Sequence, residues 1–506
     1  MLSRIRGSLL LACFGTQLAI VFPIILAGRL YIDDLGRSAE GYRGWSGVGR
    51  PLADALFFFA NLGDPAVNVF PLNQIFAAGL IALASVLLAD IFSLEGPLAV
   101  AIGTLPLGGQ PYFLENYSYA FDSLTMAAGL VCSVAASYLV LQKRGTWPAI
   151  ASSLLIFASL CLYQQTVTAF FLIIATVLAT RPSSREQVFA VIITSFSANT
   201  IAMLLYKLLV RIPPGGYAAV RFKIMFFSEL PEGVVENLAN YWMTLYNHWG
   251  RSAFGVCAFL ILIIGTYLAV RSFSTQGTKF NHYVTRPLVI VVLGLSVLLS
   301  FGVFLLIKHA VFVPRFFIGV GVILSVFNLI ILANTNEAIR QRSAGYAFAF
   351  LCRVPVFVLA YTLIVVAFAY GRASASQKDF EMSLLTRLVH DVDISGISSD
   401  VKSISILGTI PMSATLANTG RKFPAVLSLV PRHVDNDWVW GNVELKHFGL
   451  SLNYAPQSIK VRSLLNYAPQ SIEIRSLIDS GSLPPLFKGR DYELYKYQDV
   501  LIVNFR

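Results

Sequence analysis

Charge is scarce in this sequence. Of its 506 residues only 13% are Asp, Glu, Lys or Arg while 56% are hydrophobic, a balance far from that of a water-soluble domain. A soluble multidomain protein is therefore excluded. Cysteine is scarce too, and all five, Cys13, Cys132, Cys161, Cys257 and Cys352, lie in apolar segments, so neither a disulfide framework nor a zinc site is expected. The sequence has no Walker loop, dinucleotide fingerprint, HExxH motif or GxSxG nucleophile elbow, which leaves nucleotide-driven chemistry without support. The net charge of +11 does not imply nucleic acid, because the basic residues sit between apolar runs rather than along one stripe. Anionic lipid or phosphate is the expected partner.

What the sequence has in abundance is long apolar runs. Stretches of roughly 18 or more residues recur over the first 370 positions, each long enough to cross about 30 Å of hydrocarbon as a helix. They predict about eleven spans, at 7–27, 72–91, 97–108, 122–141, 148–163, 166–180, 188–206, 254–270, 288–306, 313–333 and 348–370. The third and fifth are short and are expected to be tilted, broken or re-entrant. Arg4 and Arg6 ahead of the first run suggest a signal peptide, but no small-residue cleavage site precedes Gly28-Arg29-Leu30, so the run reads as an uncleaved span.

Lys and Arg are balanced between the two sets of loops. The set that includes Lys143, Arg144, Arg181 and Arg185 sits in short, acid-poor turns, and is read as cytoplasmic. The expected product is a multi-pass protein of the bacterial inner membrane, mainly α, with a polytopic helical bundle over residues 1–371. Its outer loops are 28–71, 109–121 and 207–253, and a small periplasmic α/β domain occupies 372–506. In that domain Phe380, Leu384, Leu385, Leu388 and Val392 mark one helix face, Val401–Gly408 reads as a strand, and Tyr492–Tyr497 with Val500–Phe505 read as a closing strand pair. The run Leu452–Ile459 recurs as Leu465–Ile472, a tandem duplication too short for a solenoid.

Two clusters carry chemistry. Tyr31-Ile32-Asp33-Asp34-Leu35-Gly36-Arg37 follows the first span directly and continues through Trp45 to Arg50. Adjacent carboxylates raise one another's pKa, so one is poised as a general base, and nearby arginines can hold an anionic leaving group. Asp34 is the first choice as base and Asp33 the alternative, because Asp34 stands three residues before Arg37 and shares its face if a helix starts here. The plain alternative is a solvated loop with a helix cap. The second cluster, Gly109–Ser123, interleaves aromatics with Glu115, Asn116 and Asp122; rings cover a pyranose face while carboxylates and amides take its hydroxyls, although an interfacial aromatic belt would look similar. Trp45, Tyr119, Tyr163 and Gln164 join them as candidates for sugar or acceptor contact. Arg37, Arg50, Lys207, Lys308 and Arg315 are candidates for a donor phosphate, with headgroup snorkelling as the alternative for outer-face cations. No cofactor is expected, and the acid pair alone does not establish a metal site, although a divalent ion is compatible with it.

The acid and arginine run, with Gly41, Trp45 and Gly49-Arg50-Pro51-Leu52, resembles the opening of the Gtr type II (GtrII) glucosyltransferases, the serotype-converting enzymes of bacterial O-antigen. Further pieces agree in order: Gln110-Pro111-Tyr112-Phe113 with Asn116, Tyr119-Ala120-Phe121-Asp122-Ser123, Tyr163-Gln164-Gln165, Tyr206-Lys207, Pro314-Arg315, and Gly408 with Pro411. The likeness spans nearly the whole chain. Ala120 departs from it, standing where a basic residue is expected, as does the duplicated segment.

The resemblance implies a GT-C-type membrane glycosyltransferase that takes glucose from undecaprenyl-phosphate-glucose on the periplasmic face. The acceptor would be O-antigen or lipopolysaccharide, the anomeric centre would invert with one essential base, and a flippase and a donor synthase would be functional partners. Physical chemistry converges on the same class, since no nucleotide sugar exists outside the cytoplasm and an outward-facing transferase needs a lipid-linked donor. The alternatives are a donor with another sugar, such as mannose or arabinose, and a lipid-linked sugar transporter or flippase. A transporter calls for polar residues near the midplane and paired repeats, whereas the acids here gather at one interface. In such an enzyme the domain after residue 372 is expected to help choose the acceptor. A topology reporter fused after Phe505 should be active only outside the cytoplasm, and cytoplasmic activity would overturn the orientation.

Overall fold

The computed structural model describes residues 7–143, 145–181, 184–210, 223–275, 282–341, 345–397, 401–436, 438–454 and 470–505. Helix occupies each of the eleven apolar runs. Among the described residues, seven helices are long and apolar enough to cross a membrane: Gly7–Ala27, Leu72–Ile91, Ser123–Gln142, Arg185–Leu209, Ala253–Ser272, Ile318–Asn336, and part of Tyr346–Ile394. Shorter apolar helices, at Pro97–Gly109, Thr146–Leu162, Gln164–Thr180 and Arg286–Leu298, fill the remaining runs. On the Arg185–Leu209 helix Phe189, Ile193, Phe196, Leu204 and Leu208 all face outward. A helix that exposes its largest apolar side chains has lipid rather than water as its solvent. The protein is a membrane protein.

The Gly109–Phe121 stretch, expected as an outer loop, is folded into the protein. Every residue from Gly103 to Ala127 is buried. Pro97 and Pro106 open short helices at Pro97–Thr104 and Pro106–Gly109, and a further short helix, Phe113–Ser118, follows. Its aromatics explain the burial, because Tyr112 stacks on Phe317 with centroids 4.6 Å apart and Phe113 meets Tyr117 edge-on at 5.1 Å. The other two regions expected as outer loops also hold helices, Asp33–Glu40 and Pro51–Ala60 in the first and Leu230–Trp249 in the second.

The Tyr346–Ile394 helix has 49 residues, about 70 Å of unbroken rod. It runs across position 371, where the sequence suggests a domain boundary. It packs along Gly7–Ala27, and Gly371 permits the approach, since a Cβ there would lie 2.5 Å from the Pro23 carbonyl oxygen. In its second half Leu384, Leu385, Leu388 and Val392 are wholly buried. They pack on a five-stranded sheet of β1 (Ser403–Leu407), β2 (Asn453–Tyr454), β3 (Phe487–Lys488), β4 (Tyr492–Tyr497) and β5 (Val500–Phe505), ordered β2-β1-β5-β4-β3. β1 runs parallel to β2 and β5, while β3, β4 and β5 are antiparallel. Strand alternation divides the core: Ile404, Ile406, Leu501 and Val503 face the long helix, whereas Leu407, Ile502 and Tyr495 join Ile474 of the Gln470–Asp479 helix on the other side. Most of the duplicated segment, residues 455–469, lies outside the described residues.

Gly371→Leu should cost about 1–3 kcal/mol by overpacking against Pro23. Gly294→Leu, where a Cβ would meet nothing within 4 Å, should be nearly neutral. Thermal unfolding of the two variants in detergent checks the difference, and equal melting would refute the close-packing account.

Candidate active site

The chain leaves the Gly7–Ala27 helix, turns at Ile32 and starts a two-turn helix at Asp33–Glu40. Gly41, at φ 67°, takes the left-handed conformation that ends this helix. Arg37 stands one turn after both acids, and its Nη1 lies 3.9 Å from the Asp33 carboxylate. The two acids have opposite environments. Asp34 is wholly buried and accepts the backbone N–H groups of Tyr31 at 3.2 Å, Ala120 at 2.7 Å and Phe121 at 3.2 Å. It staples the acid helix to the buried Gly109–Phe121 stretch. The Asp33 side chain is 45% exposed. Desolvation by the surrounding wall still raises its pKa, while Arg37 pulls the other way and Asp122 adds to the rise. For Asp34 burial again raises the pKa, opposed first by the Ala120 amide.

Asp122 is the hub. Its Oδ2 accepts Arg37 Nη1 at 2.9 Å, and its Oδ1 accepts Arg50 Nη1 at 2.9 Å and Trp45 Nε1 at 2.7 Å. The Arg37 guanidinium lies 4.3 Å from the centroid of the Trp45 ring. Arg50 donates further to the Leu162 carbonyl at 2.7 Å and the Thr125 hydroxyl at 3.1 Å, and its guanidinium lies 5.0 Å from the Tyr163 ring. Beside this clasp Glu115 accepts both the backbone N–H of Arg315, at 2.7 Å, and its Nη1, at 2.6 Å. Arg315 is the most open of the three arginines, with a side chain 27% exposed against 8% for Arg37 and 10% for Arg50. Its guanidinium sits 5.7 Å from the Tyr119 ring, and its carbonyl accepts the Tyr163 hydroxyl at 3.2 Å. Asn116 donates to Met126 and to the Arg315 carbonyl, and its buried Oδ1 has no partner among the described residues.

The structure thus gathers Asp33, Asp34, Arg37, Trp45, Arg50, Glu115, Asn116, Tyr119, Asp122, Tyr163 and Arg315. Gln164 sits at its edge and is committed to backbone, donating to the carbonyls of Val48 and Gly49. The two lysines expected at the phosphate are elsewhere engaged or exposed. Lys308 pairs with Glu229, and Lys207 is exposed near the end of its helix with no ion pair among the described residues. Sequence reasoning missed Arg29, Glu381, His433, Glu444 and His447, which tie the acid segment to the C-terminal domain. Arg29 pairs with Glu381 at 2.6 Å, Ile32 N–H donates to His433 Nε2 at 3.4 Å, and His447 Nε2 lies 3.0 Å from the Leu35 carbonyl. Partners about 350 to 410 positions away leave no local pattern in a sequence.

Asp122→Asn would leave two buried guanidiniums with half their compensation, and breaking such a pair costs about 3–5 kcal/mol. Thermal unfolding in detergent should show this loss, and wild-type stability would remove Asp122 from its central place.

No solved structure matches this chain. A protein of Salmonella phage P22, described as an uncharacterized 55.3 kDa protein in the gtrB 5′ region, is 26% identical over 450 residues, covering 87% of this chain and 90% of that protein. The family model described as glucosyl transferase GtrII matches residues 22–326, and so takes in the acid helix, the buried Gly109–Phe121 stretch and Arg315. With that match over more than half its length, and with acids and arginines of the matched region converging on one site, the chain belongs to the GtrII glucosyltransferase family.

Proposed function

We propose that the protein is a GT-C-type transferase that moves glucose from undecaprenyl-phosphate-glucose to O-antigen or a related surface glycan on the periplasmic face of the inner membrane. One observation carries this reading: a half-exposed carboxylate, Asp33, lies 3.9 Å from Arg37, and the charges of Arg50 and Arg315 reach it too. Those are the two functions that displacement at a glycosyl phosphate requires. In the proposed step an acceptor hydroxyl oxygen attacks the anomeric carbon and gives its proton to Asp33. The bond from that carbon to the phosphate oxygen breaks, its electron pair leaves with undecaprenyl phosphate, and the configuration inverts. Arg315, the most open of the three cations, meets the phosphate first, and Arg37 and Arg50 supply positive potential behind it.

This assigns the base to Asp33 rather than to Asp34, whose carboxylate already accepts three amides. Trp45 and Asp122 serve the arginine clasp, which leaves Glu115, Asn116, Tyr119 and Tyr163 around Arg315 as the wall against which the sugar lies. Lys207 is assigned to the lipid headgroups, whereas Lys308 is held by Glu229. The gtrB neighbourhood of the phage relative supports a role in surface-glycan modification.

The test is transfer of glucose from undecaprenyl-phosphate-glucose to lipopolysaccharide by purified protein. Asp33→Asn should lower turnover at least about 100-fold with donor binding retained, whereas Asp34→Asn should act through lost folded protein. Arg315→Ala should also lose about 100-fold. Because desolvation raises the Asp33 pKa and Arg37 opposes the rise, turnover should fall on acidification above the ordinary aspartate range. Arg37→Gln removes the opposing charge, so the fall should move to higher pH. Full activity in Asp33→Asn would reject the assignment.

A further inference from the structure

The acid segment is held from outside as well as from within. Ile32, immediately before Asp33, has φ 47° and ψ −102°, a conformation that a β-branched residue adopts only when its surroundings impose it. Three contacts from the C-terminal domain surround this turn: Tyr31 Oη donates to the Leu429 carbonyl at 3.0 Å, Ile32 N–H donates to His433 Nε2 at 3.4 Å, and the His447 ring meets the Leu35 carbonyl at 3.0 Å. His433 is buried, and its Nδ1 lies 3.1 Å from a Glu444 carboxylate oxygen. The amide of Ile32 can only donate, so Nε2 must be the unprotonated nitrogen. The ring proton therefore resides on Nδ1 and is donated to Glu444.

Glu381, His433 and Glu444 offer ligand atoms within 4.8 Å of one another, as a metal site would. The Glu381 oxygens and both His433 nitrogens are already committed. Glu381 accepts from Arg29 at 2.6 Å and from Gln377 at 3.0 Å, and both nitrogens of His433 are used. The cluster is a hydrogen-bond network that ends on the backbone of the acid segment.

We propose that His433 is a positioning residue for the acid pair: oriented by Glu444, its Nε2 fixes the Ile32 turn that presents Asp33 to the acceptor hydroxyl. This rests on the assignment of Asp33 as base. It gives the C-terminal domain a part in the chemistry of the membrane half, beyond choosing the acceptor. A carboxylate that must meet a hydroxyl proton within hydrogen-bond reach is sensitive to small displacements of its backbone, so loss of the support should lower kcat while leaving donor affinity intact.

His433→Leu removes the acceptor, and His433→Gln supplies an amide oxygen in its place. In full-length protein His433→Leu should lower kcat about tenfold, the weight of one lost buried hydrogen bond, with KM for undecaprenyl-phosphate-glucose within about twofold. His433→Gln should recover most of the turnover. Hydrogen exchange of the peptide spanning residues 29–37 should quicken in His433→Leu and return toward wild type in His433→Gln. Unchanged kcat in His433→Leu, or equal losses in both variants with donor binding also lost, would overturn the proposal. If the wild-type protein transfers no glucose, the proposed function fails, and the exchange measurement still decides whether His433 holds the turn. Identical exchange in all three proteins would show that it does not.

Discussion

The arrangement depends on a single carboxylate. Asp122 sits at the head of the Ser123–Gln142 helix and is the common acceptor for Arg37, Arg50 and Trp45. Each of those side chains belongs to a different part of the Tyr31–Leu52 region, so one acid orders the whole loop. Arg50 extends the tie to the end of the Thr146–Leu162 helix through the Leu162 carbonyl. Asp33, 3.9 Å from Arg37, supplies the second negative charge, so two guanidiniums stay buried against two carboxylates.

Much of this was legible in the sequence. The acid and arginine run, the aromatic stretch before Asp122, and Arg315 were recognisable because charges flanking long apolar runs are costly unless used. The strands at 403–407, 492–497 and 500–505 followed from alternation, and Leu384, Leu385, Leu388 and Val392 from helical spacing. Other features were not legible. Which of Asp33 and Asp34 is buried could not be read from spacing, since Arg37 stands within one turn of both; the amides that Asp34 accepts come from Tyr31, Ala120 and Phe121. Lys207 and Lys308 looked equivalent to Arg315 as outer-face cations, and only the fold shows that Lys308 spends its charge on Glu229. The Gly109–Phe121 stretch read as a loop because Gly, Pro and polar residues punctuate it, yet its rings found partners inside the protein. The unbroken helix through position 371 was hidden by a change in composition that marks the end of apolar surroundings, not the end of the helix.

The C-terminal domain is joined to the membrane half in two ways that reinforce each other. A continuous helix carries it, so no flexible linker separates the sheet from the bundle. Side chains from residues 429–447 then reach back to residues 31–35. Rod and clasp together close a ring of contacts around the acid segment.

That ring has a consequence for how the protein is made. Arg29 ends up buried against Glu381, 352 positions later, and the Ile32 amide waits for His433, 401 positions later. At roughly 5–20 residues per second of synthesis, the partner of Ile32 emerges about 20–80 s after the turn it stabilises. Through that interval the segment around the two acids is present in the nascent chain without these partners, so biogenesis must tolerate an unfinished site until the residues through His447 have left the ribosome.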